Sequence, residues 1–315
     1  MPNLWTHVLF GEALAGRLGF RLDLEAAGQL NLYRLGCQGP DLLFFHRFLP
    51  WQRGSMTQLG SAMHERHCGP VLMDFADKAR EHGADSALAR YVLGFFTHHV
   101  LDRTMHPYVF YRSGYRKWDH QRFEVAMDTL LVHRMRGIET WRFPAWKLIY
   151  NGPSLPDSVT DMLAATASAY YPELTGPYDS SDWQQAYLDM VRAHRLFHDP
   201  SGLKTLLTLG RIAPLAYKRR PPAADFLNEA RREWRHPSDM AVVSTASIMD
   251  MWDDAMAEGE HILRTALSYW TVKHPAAAEE ARRELAGLIG NRTYDSGLPC
   301  EEPLPLQYAD PIFVR

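Results

Sequence analysis

Side chains that commonly bind metal ions are concentrated in the stretch HHVLDRTMHP. His98 and Asp102 stand four residues apart, and His106 follows Asp102 by four more, so on a helix each pair would share one face. His120 and Glu124 repeat this spacing in the segment DHQRFE. Neutral imidazole and carboxylate oxygen are the usual ligands of hydrolytic zinc. Because a polar group in an apolar core costs free energy unless it is paired, the pattern predicts a metal site.

The alternative interpretation is structural. A single pair with this spacing arises often by chance, and a lone histidine on an apolar helix face usually belongs to the core. The chain nevertheless contains 15 histidines, ten of them before residue 134. Two pairs on consecutive helices, with His106 between them, favour the metal site.

The overall composition is that of an ordinary globular protein, with 46% hydrophobic residues, 23% charged residues and a net charge of −3. A length of 315 residues is sufficient for a large core and for one or two domains. No basic surface of the kind that binds nucleic acid is indicated, which disfavours nucleic acid as a partner. The short basic run YKRRPP at 217–222 is interpreted as a solvated loop, with contact to lipid phosphate as the alternative.

The cysteines and the start of the sequence bear on the compartment. Cys37, Cys68 and Cys300 are far apart and form no CxxC motif, which favours a reducing compartment. The first residues lack the basic and uninterrupted apolar regions of a signal peptide, and no stretch is long and apolar enough to predict a transmembrane helix. We therefore expect a cytoplasmic protein.

Helical periodicity dominates the elements that must position these residues. Apolar residues recur at a spacing of three to four in segments 6–20, 70–83, 87–105, 122–137, 158–171, 183–198, 238–270 and 276–290. No alternating strand pattern is convincing, and Pro107 is predicted to end the helix that carries His98. The sequence thus predicts an all-α, single-domain helical bundle over residues 1–290, followed by an irregular tail over residues 291–315.

Several motifs resemble a known family. The segment LGFFTHHVLDRTMHP followed by DHQRFE is similar to the bacterial zinc-dependent phospholipase C family and, more distantly, to the S1/P1-type zinc nucleases. The segments WTH near the start, GPD at 39–41 and GSAMHERH also fit. The resemblance spans roughly residues 2–130, and it implies an all-helical protein that holds three zinc ions. We expect two or three ions in this chain.

The resemblance also implies a set of metal ligands. These are His7, Asp41, His64, His98, Asp102, His106, His120 and Glu124. Asp102 would bridge two metal ions, and Asp41 would be both a ligand and the catalytic base. Two spacings depart from the family pattern: fewer residues separate Asp102 from His106 than in most members, and more separate Asp41 from His64.

Other residues remain as alternatives. His46 and His67 could replace His64 as the ligand, whereas His99 faces another side of its helix and is expected to support the site or the core. His133 could line the same cleft, but a packing role is favoured. Removal of Met1 would expose the Pro2 amine, which could bind zinc together with His7, as the mature N-terminus does in the families this chain resembles.

Together these features predict a zinc-dependent phosphodiesterase of the phospholipase C type, which hydrolyses a phospholipid or related phosphodiester by a metal-activated water. Such an enzyme would touch a membrane surface transiently. One alternative is a zinc nuclease or small-phosphodiester hydrolase that uses the same site. Another is a non-catalytic, metal-stabilised helical binding module, which would differ from an enzyme by having no open coordination position.

Overall fold

The computed structural model describes residues 4–19, 27–176 and 178–313 of the chain. Over these ranges it contains thirteen α-helices, two short 3-10 helices (η1 and η2) and a single two-stranded sheet. The predicted all-α class is confirmed. Within the same ranges, none of the helices combines the length and apolar character that crossing a membrane requires.

The elements are, in chain order, α1 (Leu4–Arg17), α2 (Ala27–Gly36), η1 (Gly39–Asp41), α3 (Leu42–Phe45), α4 (Thr57–Glu65), α5 (Cys68–His82), α6 (Ala87–Ser113), α7 (Asp119–Arg136), η2 (Ala145–Leu148), α8 (Asp157–Tyr170), α9 (Pro172–Thr175), α10 (Ser180–Phe197), α11 (Leu203–Leu207), β1 (Trp234–His236), β2 (Asp239–Ser244), α12 (Ile248–Thr271) and α13 (Pro275–Ile289).

The central element is α6, which packs against α1, α2, α5, α7 and α12. Most of its residues are buried, on nearly every face, because other elements surround it. The hydroxyl of Ser86 caps its first turn by accepting a hydrogen bond from the Ala89 amide. The three candidate ligands on α6 consequently lie at the centre of the bundle and not on its surface.

The prediction that Pro107 ends this helix is wrong, because α6 continues to Ser113. A proline inside a helix costs about 3 kcal/mol and leaves the carbonyl four residues before it without its helical donor. Full burial of Tyr108 and Val109 offsets this cost. The Arg103 carbonyl lies against Gly297, where a Cβ would be only 2.6 Å from its oxygen. The positive φ of Gly297, 68°, also favours glycine at that position.

The prediction of one helix over 238–270 is also wrong in its first part. Strand β2 pairs antiparallel with β1, with Trp234 opposite Ser244, and α12 begins only at Ile248. Valines 242 and 243 favour the extended conformation. Ser247 and Asp250 form a capping box that fixes the start of α12, since each side chain accepts a hydrogen bond from the other residue's amide.

The segment after α13 contains no helix over residues 290–313. It is nevertheless held against the bundle. Arg292 forms an isolated bridge with Pro299, and the Tyr294 amide donates a hydrogen bond to the His64 carbonyl. Tyr294 is fully buried.

Candidate metal centre

Helix α6 places three candidate ligands on one face, as the spacing predicted. His98 Nε2 lies 3.0 Å from Asp102 Oδ2, and His106 Nε2 lies 3.8 Å from Asp102 Oδ1. All three side chains are fully buried. Burial alone would raise the pKa of Asp102, but the neighbouring histidines outweigh it and hold the pKa well below its usual range. The centre of the cluster is therefore an anionic carboxylate.

Helix α1 adds His7 to the ligands on α6. Its Nε2 lies 3.2 Å from Asp102 Oδ1, and its ring stacks on that of His98 with a centroid distance of 4.2 Å. Asp128 on α7 fixes the start of α1, because its carboxylate accepts hydrogen bonds from the amides of Trp5 and Thr6 at 3.1 and 3.0 Å. A carboxylate at the first turn of a helix satisfies amides that have no partner within the helix.

The turn η1 and helix α4 bring in Asp41 and His64. His64 Nε2 lies 3.2 Å from Asp41 Oδ1, and His98 Nε2 lies 3.8 Å from the same oxygen. This approach depends on Gly39, which has a φ of 51° and where a Cβ would be only 2.2 Å from His98 Cδ2. The first position of the GPD motif thus requires glycine for two reasons: its φ is positive, and there is no space for a Cβ beside His98.

Helix α7 supplies the second predicted pair. His120 Nε2 lies 2.8 Å from Glu124 Oε1, and that oxygen is 3.9 Å from His106 Nε2. Burial raises the pKa of Glu124 well above its usual range and lowers the pKa of His120 well below its own. Both shifts oppose charge in the absence of a cation.

Together these side chains form three groups whose ligand atoms lie within 4.8 Å of one another: His7, His98 and Asp102; Asp41, His64 and His98; and His106, His120 and Glu124. His98 belongs to two groups, and Asp102 lies between the first and the third. The eight residues that the resemblance implied are therefore brought together in one buried cluster.

The hydrogen bonds of the histidines test whether a cation fits here. The Nδ1 atoms of His64, His98 and His106 each donate to a backbone carbonyl, at 2.7, 3.1 and 3.0 Å respectively. Because a carbonyl can only accept, each Nε2 of the neutral ring carries a lone pair and faces a carboxylate oxygen that is also an acceptor. These Nε2 atoms are buried and have no hydrogen-bond partner, and the same holds for both oxygens of Asp102. Metal ions held by these groups would satisfy these acceptors.

Protonated histidine is the competing explanation, and it accounts for only part of the cluster. Burial lowers the pKa of His64, but the negative charge of Asp41, 3.2 Å away, prevails and raises it to about 9. His7 behaves in the opposite way: burial and the neighbouring His98 lower its pKa to about 4. His7 is therefore neutral at neutral pH, and a proton cannot complete all three groups. The donor set of imidazoles and carboxylates fits zinc.

A comparison with protein-family models is consistent with this geometry. The model described as zinc-dependent phospholipase C matches residues 6–172, slightly more than half of the chain. The chain belongs to the zinc-dependent phospholipase C family. Neither the curated proteins nor the solved structures gave a match.

The cluster of this family member opens into a cleft of about 850 Å³. Asp41, His64, His120 and Glu124 line the cleft, whereas His7 and Asp102 are buried behind them. The aromatic residues of the walls are Phe44, Phe45, Phe48, Phe110, Tyr115, Trp118 and Phe197. Three cationic residues also line it: Arg47, and Arg116 with Lys117 in the connection between α6 and α7. Only part of the cluster is thus accessible to a ligand in the cleft.

The structure adds residues that the sequence did not indicate. Asp295 lines the cleft with Oδ1 3.4 Å from His106 Nδ1, and the Tyr294 carbonyl accepts the hydrogen bond from that nitrogen. The Tyr294 ring packs against His64, His98 and His99. These residues lie beyond the part that matches the zinc-dependent phospholipase C family, in a segment with no periodic pattern, and no sequence signal pointed to them.

Several alternatives lie elsewhere. His46 is buried 3.5 Å from Asp182 and accepts a hydrogen bond from the Met56 amide, and His67 is an exposed residue at the start of α5. His133 is exposed near the end of α7 and does not line the cleft, so the favoured packing role is wrong as well. His99 supports the cluster from behind, with its Nε2 3.1 Å from the Arg292 carbonyl. Pro2 lies outside the described residues.

Proposed function

We propose that this chain is a zinc-dependent phosphodiesterase that hydrolyses a phospholipid or a related phosphodiester in the manner of a phospholipase C. The observation that carries the proposal is the position of the cluster at the cleft. Structural zinc sites are closed by protein ligands, whereas catalytic sites keep a position open. Here two of the three candidate groups contribute residues to the cleft surface, namely Asp41 with His64 and His120 with Glu124.

The residues assigned to zinc are the eight of the cluster, which we propose hold two or three ions. When bound, zinc lowers the pKa of a water to about 7 and neutralises charge on phosphate oxygens. The protein's own contribution is orientation. Carbonyl oxygens hold the rings of His64, His98 and His106 with Nε2 turned inward, and such partners commonly change metal affinity or activity by about 10- to 100-fold.

Asp41 has the position of a general base. It is largely buried, yet it lines the cleft beside His64. A carboxylate there can orient a water towards a phosphorus atom in the cleft and accept its proton. Asp295 lines the same cleft next to His106, and it is ionised because the nearby His106 outweighs burial and lowers its pKa. We assign it the role of holding the His106 ring.

The walls of the cleft favour an amphiphilic substrate. Aromatic rings near the cluster suit the apolar part of a lipid, and Arg116 and Lys117 suit its phosphate. The net charge of −3 disfavours a long nucleic acid as the substrate.

The test is turnover of three substrates by zinc-loaded protein: phosphatidylcholine vesicles, a soluble chromogenic phosphodiester and single-stranded DNA. We expect hydrolysis of the first two, its loss with a chelator, and its return with zinc. Asp41→Asn should abolish turnover. The matched control is Asp77→Asn, because Asp77 binds Arg282 on the surface and does not line the cleft. No turnover of any substrate would support the binding-module alternative, and cleavage of DNA alone would support a nuclease.

A further inference from the structure

An unusual apolar surface lies on α11 and the residue two positions after it. Leu203, Leu206, Leu207 and Leu209 are 56%, 71%, 74% and 86% exposed, and no residue of α11 is buried. Positions 203, 206 and 207 share one helix face. Single exposed leucines are common, but four within seven residues form a patch of the kind that marks an interaction site. We call residues 203–209 the leucine surface.

The leucine surface is held in place. Asp199 accepts hydrogen bonds from the amides of Lys204 and Thr205, at 3.1 and 2.7 Å, and so fixes the start of α11. The Lys204 ammonium donates to the carbonyls of Arg195 and His198. Leu209 has a φ of 52°, a conformation that is unfavourable for a leucine. A large apolar side chain is thus displayed to solvent where a small polar residue would be less strained.

The leucine surface is followed in the chain by residues that pack against a wall of the cleft. A few residues further along the chain, Ile212 packs in a small cluster with Ala193 and Phe197, and Leu215 packs against that cluster. Phe197 and Leu215 also line the cleft. Whatever covers the leucines therefore lies beside the proposed catalytic site.

The charge of this region indicates what covers it. Residues 200–222 contain five cationic residues, Lys204, Arg211, Lys218, Arg219 and Arg220, and no carboxylate. None of the ion pairs in the described part of the chain involves Arg211 or residues 218–220, and all four of these residues are exposed. A second copy of this chain would bring two such cationic regions together, which their mutual repulsion opposes. Anionic lipid head groups attract clustered lysine and arginine.

We propose that the leucine surface, with the basic run 218–220, docks this chain onto the surface of a phospholipid bilayer that contains anionic lipid. The leucines would enter the boundary between head groups and acyl chains, as the apolar face of an interfacial helix does, and the cations would meet lipid phosphate. The short basic run YKRRPP is then part of a binding surface and not merely a solvated loop. Docking needs no catalysis, but its use in delivering substrate to the cleft rests on the proposed function.

The test measures binding of the full, zinc-loaded chain to vesicles by sedimentation, with phosphatidylcholine alone and with phosphatidylserine added. We expect binding that increases with phosphatidylserine. Leu206→Ser/Leu207→Ser should weaken it by roughly tenfold or more for each leucine that enters the lipid. The charge variant K218E/R219E/R220E should remove the preference for phosphatidylserine. The matched control is Val242→Ser/Val243→Ser, two exposed apolar residues on β2.

Both leucines are exposed, so the variant should keep its fold and its rate on the soluble diester while losing activity on vesicles. Equal vesicle binding by the leucine variant and the wild type would overturn the proposal, as would no binding by either. A concentration-dependent dimer that the leucine variant abolishes would assign the surface to a second copy instead. Vesicle binding that depends on the leucines, with no turnover of any substrate, would support docking and contradict the proposed function.

Discussion

Asp102 offers the sharpest test of the candidate metal centre. Its oxygens lie 3.2 Å from His7, 3.0 Å from His98 and 3.8 Å from His106, so it is a member of the first candidate group and lies next to the third. Substituting Asp102→Asn removes the negative charge and one oxygen ligand while keeping the volume. We expect the variant to lose one or two zinc ions per chain, whereas the group that contains Asp41 keeps its own.

The expected size of the effect on stability follows from linkage. At free zinc about a thousandfold above the dissociation constant, each ion adds about 4.1 kcal/mol to the free energy of unfolding. A chain of 315 residues has an unfolding entropy of roughly 0.66 kcal/mol/K, so each ion should raise the melting temperature by about 6 °C. In excess zinc, Asp102→Asn should therefore melt about 6 to 12 °C below the wild type.

The assay combines mass-spectrometric metal analysis with calorimetry in excess zinc and in a chelator. Asp189→Asn is the matched control, because Asp189 is equally buried but pairs with Arg192 away from the cluster. An unchanged zinc content in Asp102→Asn, or the same increase in melting temperature on zinc addition as in the wild type, would refute the reasoning. A difference that persists in the chelator would indicate a packing role instead.

Three further predictions concern residues around the cluster. Asp128→Asn should weaken zinc binding at the His7 group by about 10- to 100-fold in a chelator competition, because it loosens the start of α1. Tyr217→Phe removes only one hydrogen bond to Asp128 and should have a smaller effect. Equal effects of the two substitutions would contradict this prediction. Gly39→Ala should lower the free energy of unfolding, measured in urea, by more than the roughly 1–3 kcal/mol that backbone strain alone would cost. Gly83→Ala is the control that measures backbone strain alone, because no atom lies near the position of a Cβ at Gly83. Protons compete with zinc for a histidine whose pKa is raised. The zinc affinity of the His64 group should therefore increase by up to about tenfold per pH unit from pH 7 to about 9. A zinc affinity that does not change over that range would rule this out.

The sequence predicted the part of the candidate centre that depends on local geometry. His98, Asp102 and His106 share one helix, and His120 with Glu124 shares another, so spacing alone places each set on one face. The choice among His46, His64 and His67 could not be made in this way. That choice depends on how the loop and the short helix that carry these histidines are placed beside α6. Of the three histidines, only His64 contacts Asp41.

Contacts between distant parts of the chain account for what the sequence missed. Asp295 and Tyr294 support His106 from almost 190 residues away, in a segment with no helical or strand pattern. The same cause explains the error at Pro107. The low helix propensity of proline predicted that the helix ends there. Helix propensity does not include tertiary contacts, and surrounding elements bury Tyr108 and Val109 completely.

The continuation of α6 through Pro107 also explains how this chain accommodates its short spacing between Asp102 and His106. If the helix ended at Pro107, His106 would lie on a frayed terminus, and its ring would have no fixed direction. Because α6 continues, His106 stays one turn after Asp102 on a rigid helix. The segment 294–297 then meets that turn twice, with the Tyr294 carbonyl on His106 and Gly297 against the Arg103 carbonyl. The tail therefore packs against the turn that precedes Pro107, and it directs His106 Nε2 towards Glu124 in the group that lines the cleft.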